Sequence, residues 1–494
     1  MEKLSYSTLE KLGYKGYLKK EAPERILQFG EGNFLRAFVD DFVDIANEKC
    51  DFNTKVLVVQ PIGTGRADAV NQQDGLYTLY RRGFESGKAV NEKRINSALS
   101  RCLELKNGYG EFLQAAHNPD LRFVVSNTTE AGIVFEDDCR FDDTPPASYP
   151  AKLTRFLYER FTAFGTQKGK GLVILPCELI DFNGEELEKC VKQYIQLWNL
   201  EPAFTEWLDK ENMFCSTLVD RIVTGYPAAE AEKLQAENGY IDEQLDTCEI
   251  FGLWVIEGPQ SLKEELPFEK VGLPVLITDD HRPYKQRKVR ILNGAHTSMS
   301  LAAYLAGQDI VRDCMEDQDI YNFTKNAIFD EIIPTLTLPK AELEEFANAV
   351  LERFKNPFID HSLLSISLNS VSKWRARVLP TVKDYVLKTG QLPARLTFGF
   401  AALLAFYHAV RLQDGKLIAL RDGQEYTVQD DAFVLEFFDA HKNDAPQDLV
   451  AAVCANTRMW GEDLNQLPGF AAEVTGYLET INKVGMQQAL KQLG

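Results

Sequence analysis

The chain has 494 residues, and 54 Lys plus Arg against 73 Asp plus Glu leave a formal net charge of −19. That balance argues against a nucleic acid or another polyanion as partner, and 45% hydrophobic with 26% charged residues is the composition of a globular protein, not a disordered or fibrous one. Nine cysteines without a CxxC pair fit reduced thiols in the cytoplasm better than a disulfide framework, and the length favours two domains over one.

The N-terminal stretch MEKLSYSTLEKLGYKGYLKKEAPER alternates charges with glycines and lacks the apolar core of a signal peptide. After it, short runs rich in β-branched residues predict strands at 25–29 (RILQF), 55–60 (KVLVVQ), 121–126 (LRFVVS), 171–175 (GLVIL), 251–256 (FGLWVI) and 274–278 (PVLIT). Amphipathic segments at 33–49 and 149–164 predict helices between them. Strand and helix in alternation make this half α/β, with a largely parallel sheet covered on both faces.

From about residue 284 helical periodicity takes over, through LEEFANAVLERF, LPTVKDYVLKTG, LTFGFAALLAFYHAV and AFVLEFFDAHK. The DDHRP run at 279–283 marks the linker, giving an α/β domain over 1–281 and a mostly α-helical domain over 282–494. The apolar stretch at 396–410 is shorter than the ~20 residues needed to span a bilayer, so a buried helix is expected and no membrane partner. LRDGQEYTVQDD near 420 reads as a small hairpin.

Two places carry chemistry. In ILQFGEGNFLRAF, Gly30 and Gly32 follow an apolar strand and precede a helix, where a dinucleotide pyrophosphate meets a helix N-terminus. The candidate cofactor-binding run is Leu27, Gln28, Phe29, Gly30, Glu31, Gly32, Asn33, Phe34, Leu35, Arg36, Ala37 and Phe38, with Leu35 at the third glycine position. The second strand ends in Gln60, not in the acid that usually bonds the adenosine ribose, which leaves NAD and NADP both open. In KVRILNGAHTSMS, Lys288, Asn293 and His296 follow a K-x4-N-x2-H spacing. On an ideal helix Lys288 and Asn293 lie about 140° apart with His296 between them. Carbonyl reduction needs a proton-exchanging group, a donor to the developing alkoxide and a substrate-orienting group, and these three residues supply them without a metal. The alternative is a solvated lysine face with a satisfied core histidine. No zinc-ligand spacing, GxSxG elbow or GxxxxGK[ST] loop occurs.

These residues sit in blocks that resemble the mannitol dehydrogenase family of long-chain polyol and sugar-acid dehydrogenases. The blocks are GxGxFxRA from Gly30, QDGLYT from Gln73, TE-x-G (Thr129, Glu130, Gly132), C-x5-NG (Cys177, Asn183, Gly184), VDRI from Val219, K-x4-N-x2-H, and NP followed by Lys373. The resemblance implies a Rossmann-type, doubly wound N-terminal domain, a helical C-terminal domain, and metal-independent hydride transfer in the cleft between them. It makes Lys288 the general acid/base, Asn293 the oxyanion donor and His296 the substrate-orienting residue. Glu130 is left as either the lining of a proton path or a loop cap.

Where polyol enzymes of the family read CDN, this chain has Cys177-Glu178-Leu179, so a second oxyanion asparagine is missing; an arginine expected eight residues before Lys373 is Ser365. These departures resemble one branch of the family, the tagaturonate reductases. That branch implies NAD(H), a small sugar-acid substrate and interconversion of D-tagaturonate with D-altronate in galacturonate breakdown. The alternatives are a fructuronate reductase or polyol 2-dehydrogenase on the same scaffold, and a non-catalytic nucleotide sensor. A uronate carboxylate demands cations, and Lys373 with one of Arg375 and Arg377 is expected to bind it or nearby hydroxyls; Arg375 is the preferred partner, because Arg377 reads at least as well as a solvated or salt-bridged helix position. The substrate site is thus expected to be a basic exception to the acidic whole.

Overall fold

The computed structural model describes residues 1–85, 87–129 and 131–493. The chain divides into two compact units, one of Met1–Arg82 and Val90–His281, the other of Gly83–Ala89 and Arg282–Gly494.

The first unit is built on six parallel strands: β1 (Glu24–Phe29), β2 (Lys55–Gln60), β3 (Leu99–Glu104), β4 (Phe123–Ser126), β5 (Val173–Pro176) and β6 (Met213–Phe214). Their order is β3-β2-β1-β4-β5-β6, the doubly wound arrangement in which the winding reverses between β1 and β4. Alternate residues feed two cores. Ile26, Val56, Val58, Phe123 and Val173 pack on one face of the sheet. Leu27, Phe29, Leu57, Val59, Val124 and Ile174 pack on the other. Burial on both faces is why these strands read as unbroken apolar runs. The edge strand β3, LSRCLE, interleaves polar residues and escapes that signal.

The predicted strands at 251–256 and 274–278 do form, but outside the main sheet. Leu253–Glu257 pairs antiparallel with Thr217–Asp220 and parallel with Val275–Thr278. The helix at 149–164 is present as Tyr149–Phe164, capped by Ser148. The helix expected over 33–49 is instead two, Asn33–Arg36 and Val39–Cys50, broken at Phe38 (φ −126°, ψ −82°). The break accommodates Arg36, a fully buried guanidinium that donates to Glu31 O, Gln244 O and Asn33 Oδ1 and pairs with Asp246.

Several of the sequence blocks turn out to be joints of this frame. Asp74 and Gly75 both have positive φ, and a Cβ on Gly75 would stand 2.6 Å from Leu99 O. Asn183 donates its amide to the carbonyls of Pro176, Glu178 and Thr217. Arg221 is buried against Asp41 and Ala37 O.

The second unit is mostly helical. The Ala394–Phe406 helix packs on Gly294–Leu305 and on Phe470–Val484. Ala394–Phe406 stops before the end of the predicted 396–410 helix, because Ala409–Gln413 opens a three-stranded antiparallel sheet with Lys416–Arg421 and Gln424–Val428. The hairpin expected near 420 is the last two of these strands. Among the described residues no helix is long and apolar enough to cross a membrane, and all nine cysteines are free thiols.

Candidate active site

In the first unit, the glycine turn stands at the switch point of the sheet. Gly30 has φ +114°, and a Cβ there would meet Asn127 O at 3.3 Å, so only glycine makes the turn without strain. Gly32 caps the Asn33–Arg36 helix, and a Cβ added to it would meet nothing within 4 Å. That open backbone is the feature a pyrophosphate requires. Gly30→Ala is expected to cost about 1–3 kcal/mol of backbone strain and to weaken NADH binding; thermal unfolding and an NADH titration check both.

The candidate run of twelve is not uniformly ligand-facing. Glu31, Gly32, Asn33 and Phe34 keep exposed surface, with Gly30 partly covered. Leu27, Phe29, Leu35, Ala37 and Phe38 are core residues, and Arg36 is locked by its partners. Gln28 ties the turn down from within, its Nε2 lying 3.1 Å from both Gly30 O and the Asp40 carboxylate. Complete burial pushes Asp40 up to about 8. Gln60 holds the following loop, donating to Ile62 O and accepting from Ala67 N, so its amide is already engaged at the position considered for a ribose hydroxyl. At the end of β5, Leu179 is 61% exposed, while Glu178 is buried and accepts from Ser126 Oγ, Thr128 N and Thr128 Oγ1. Position 179, where polyol enzymes of the family carry the asparagine, is thus an exposed leucine. Glu130 lies outside the described residues.

In the second unit, Lys288–Asn293 is one turn of π-helix between the α-helices Arg282–Arg287 and Gly294–Leu305. The Gly294 amide reaches back five residues to Val289 O. Hydrogen bonding with this i→i+5 period sets residues five apart over one another. Lys288 and Asn293 therefore share a face, closer than the 140° of an ideal helix, and His296 follows one α-turn later. Gly294 itself is helical, and its role is proximity: a Cβ there would stand 3.4 Å from Arg377 O.

His296 stacks on Phe354 at 4.2 Å and meets the edge of His361 at 5.3 Å. Its Nε2 is buried with no hydrogen-bond partner. Burial, reinforced by His361, Arg353, Arg377 and Lys373, holds its pKa well below the ordinary histidine value. Lys373 bonds Ile366 O, and Arg377 reaches Thr297 Oγ1 at 3.5 Å. Burial lowers both of these as well, and Arg377 further lowers Lys373. On the Ser370–Arg377 helix, Lys373 and Arg377 are four apart and share a face. Arg375, two residues from each, is exposed on another side, beside Gly461. His361 gave no sequence signal, because 65 positions separate it from His296 and it belongs to no motif.

These histidines have a consequence for stability. His361 is also lowered, by burial and by Lys373. As pH falls through about 6.5 the unfolded chain takes up protons at both rings while the folded unit resists them, so stability drops on the acid side. The thermal midpoint is expected to fall from pH 7 toward pH 5.5, less steeply in His296→Asn, and a scan across that range measures it.

Comparison with known proteins decides the frame. The Rossmann-domain model of mannitol dehydrogenase matches residues 24–270 and the mannitol dehydrogenase C-terminal-domain model matches 280–482. The chain belongs to the mannitol dehydrogenase family. Within that family it is similar to altronate oxidoreductase of Escherichia coli, 50% identical over 98% of this chain and 100% of the relative. The Shigella flexneri protein of the same name is 49% identical over the same shares. Among solved structures, a substrate-free D-sorbitol dehydrogenase superposes with a TM-score of 0.81 at 22% identity, covering 99% of this chain and 100% of that one. Pseudomonas fluorescens mannitol 2-dehydrogenase, a ternary complex with NAD and D-mannitol, gives 0.68 at 22% over 99% of each. At that identity the two structures speak for the shared family fold alone. The mannitol dehydrogenase Rossmann match spans β1 to β6, and the C-terminal match contains the π-turn and the basic cluster around His296.

Proposed function

We propose that the chain is an NAD(H)-dependent oxidoreductase of CH–OH groups that interconverts D-tagaturonate and D-altronate in galacturonate breakdown. The observation that carries this reading is full-length similarity, at about half identity, to proteins named altronate oxidoreductase. The strained turn at Gly30 and the open backbone at Gly32 fit a dinucleotide pyrophosphate. NADH, when bound, supplies the hydride.

The remaining steps belong to the second unit. Lys288 gives the proton that the new alcohol oxygen requires and takes it back in oxidation. Asn293, over it in the π-turn, donates to the same oxygen as charge develops there. His296, kept neutral by its surroundings, orients the sugar hydroxyls. Lys373 and Arg377 bind the carboxylate, with Arg377 replacing Arg375 as the arginine of the pair. A cluster of basic groups is a poor lining for an uncharged polyol and a good one for a sugar acid. Nine free thiols support the reading of a cytoplasmic enzyme. The test is NADH oxidation with D-tagaturonate, D-fructuronate and D-fructose in parallel. Tagaturonate is expected to be the best substrate, and a preference for either of the others would overturn the assignment.

A further inference from the structure

The cationic group around His296 contains a second histidine that no motif assigns. We propose that His361 is a specificity-determining residue, donating a ring N–H to the substrate carboxylate beside Arg377 and Lys373. The proposal rests on the sugar-acid reading above.

The backbone fixes the ring. His361 O accepts from Val311 N at 3.0 Å, and the next residue, Ser362, forms a β-bridge with Ile310. Ser362 Oγ then caps the short helix Leu363–Ile366, accepting from Ser365 N. Ser365, which occupies the position of the family's expected arginine, is exposed and supplies no positive charge. His361 instead lies edge-on to His296, within the electrostatic reach of Lys373.

The partners of the cluster matter more than its members. Among the described residues, neither ring nitrogen of His361 makes a hydrogen bond or ion pair. Arg377 has only the long contact to Thr297 Oγ1, and Lys373 has one backbone carbonyl. The acid that Lys373 senses, Asp430, is already accepting from Tyr407 Oη and Val371 N. His296, His361, Lys373 and Arg377 thus share a partly buried space in which, among the described residues, none of the four is hydrogen-bonded or paired to a carboxylate of the protein. Their titration follows: each of the four is pushed toward its neutral form. Buried cations without a counter-charge are costly, and an entering anion removes that cost. A carboxylate has lone pairs for a guanidinium, an ammonium and an imidazole N–H together, and a neutral histidine can still donate one such bond.

The experiment compares D-tagaturonate with D-tagatose, which has a hydroxymethyl group in place of the carboxylate, at saturating NADH. His361→Ala, which removes the donor, is expected to lower kcat/KM for tagaturonate by about 10- to 100-fold, the worth of one hydrogen bond to a charged group, chiefly through KM. Its kcat/KM for tagatose should stay near the wild-type value. Equal losses on both substrates, or no loss on tagaturonate, would overturn the proposal. His361→Gln, which keeps an amide donor, serves if the alanine variant fails to fold and should retain part of the selectivity. A wild type inactive on tagaturonate would overturn the activity assignment together with this one. An active wild type whose selectivity survives the substitution overturns this one alone.

Discussion

Replacing Lys288 by alanine is expected to slow turnover of tagaturonate by about 10²- to 10⁴-fold, the usual contribution of a positioned general acid or base. NADH binding should persist, because the glycine turn at Gly30 belongs to the first unit and owes nothing to position 288. The π-turn gives the prediction its physical basis. It places Lys288 on the same face as Asn293, so that proton transfer and oxyanion donation can address one oxygen. The neighbouring cations have other duties: Arg287 pairs with Glu342 and Arg290 with Asp384, both at 2.6 Å. Steady-state rates and an NADH fluorescence titration on the same preparation test both halves. A rate within tenfold of wild type would remove Lys288 from the chemistry.

Arg377→Ala should be nearly as damaging, and specifically to the acid substrate. Truncating one partner of a buried, hydrogen-bonded charge pair costs about 2–5 kcal/mol, a loss in kcat/KM of roughly 30- to 5,000-fold. Arg375→Ala, on the exposed side of the same helix beside Gly461, is expected to stay within about twofold of wild type, as surface substitutions usually do. Measuring KM for tagaturonate in the two variants separates the faces of the Ser370–Arg377 helix. The reverse ranking would move the carboxylate site to the Arg375 side.

The contrast between these arginines marks the limit of what the sequence discloses. SKWRARVLP holds three cations in alternation, and only the helical register decides that Lys373 shares its face with Arg377 and not with Arg375. The strands that build the parallel sheet were legible because burial on both faces makes KVLVVQ and its counterparts unbroken apolar runs. β3 was not, because an edge strand keeps polar residues, and neither was the two-residue edge strand β6, too short to make a run. The K-x4-N-x2-H spacing stood out in the sequence as a candidate for chemistry, but an ideal helix spreads it over a wide arc. The wide turn that closes the arc is a hydrogen-bond shift with no signature in residue type. His361 was invisible for a different reason: its place beside His296 depends on a tertiary contact held by the bridge at Ile310 and Ser362.

The net charge of −19 acquires its meaning from this cluster. An acidic surface slows the approach of an acidic sugar, so a site for one must reverse the sign locally. On the proposed sugar-acid reading, Lys373, Arg377 and His361 are the groups that do so.

The most direct test is the ratio of kcat/KM for D-tagaturonate to that for D-tagatose in the unmodified enzyme with NADH. A site built to bind the carboxylate should reject the analogue that lacks it, by a factor on the order of 10⁴. A ratio above about 10³ is expected on that basis. Comparable rates on the two sugars would contradict the assignment of the basic cluster to a sugar acid.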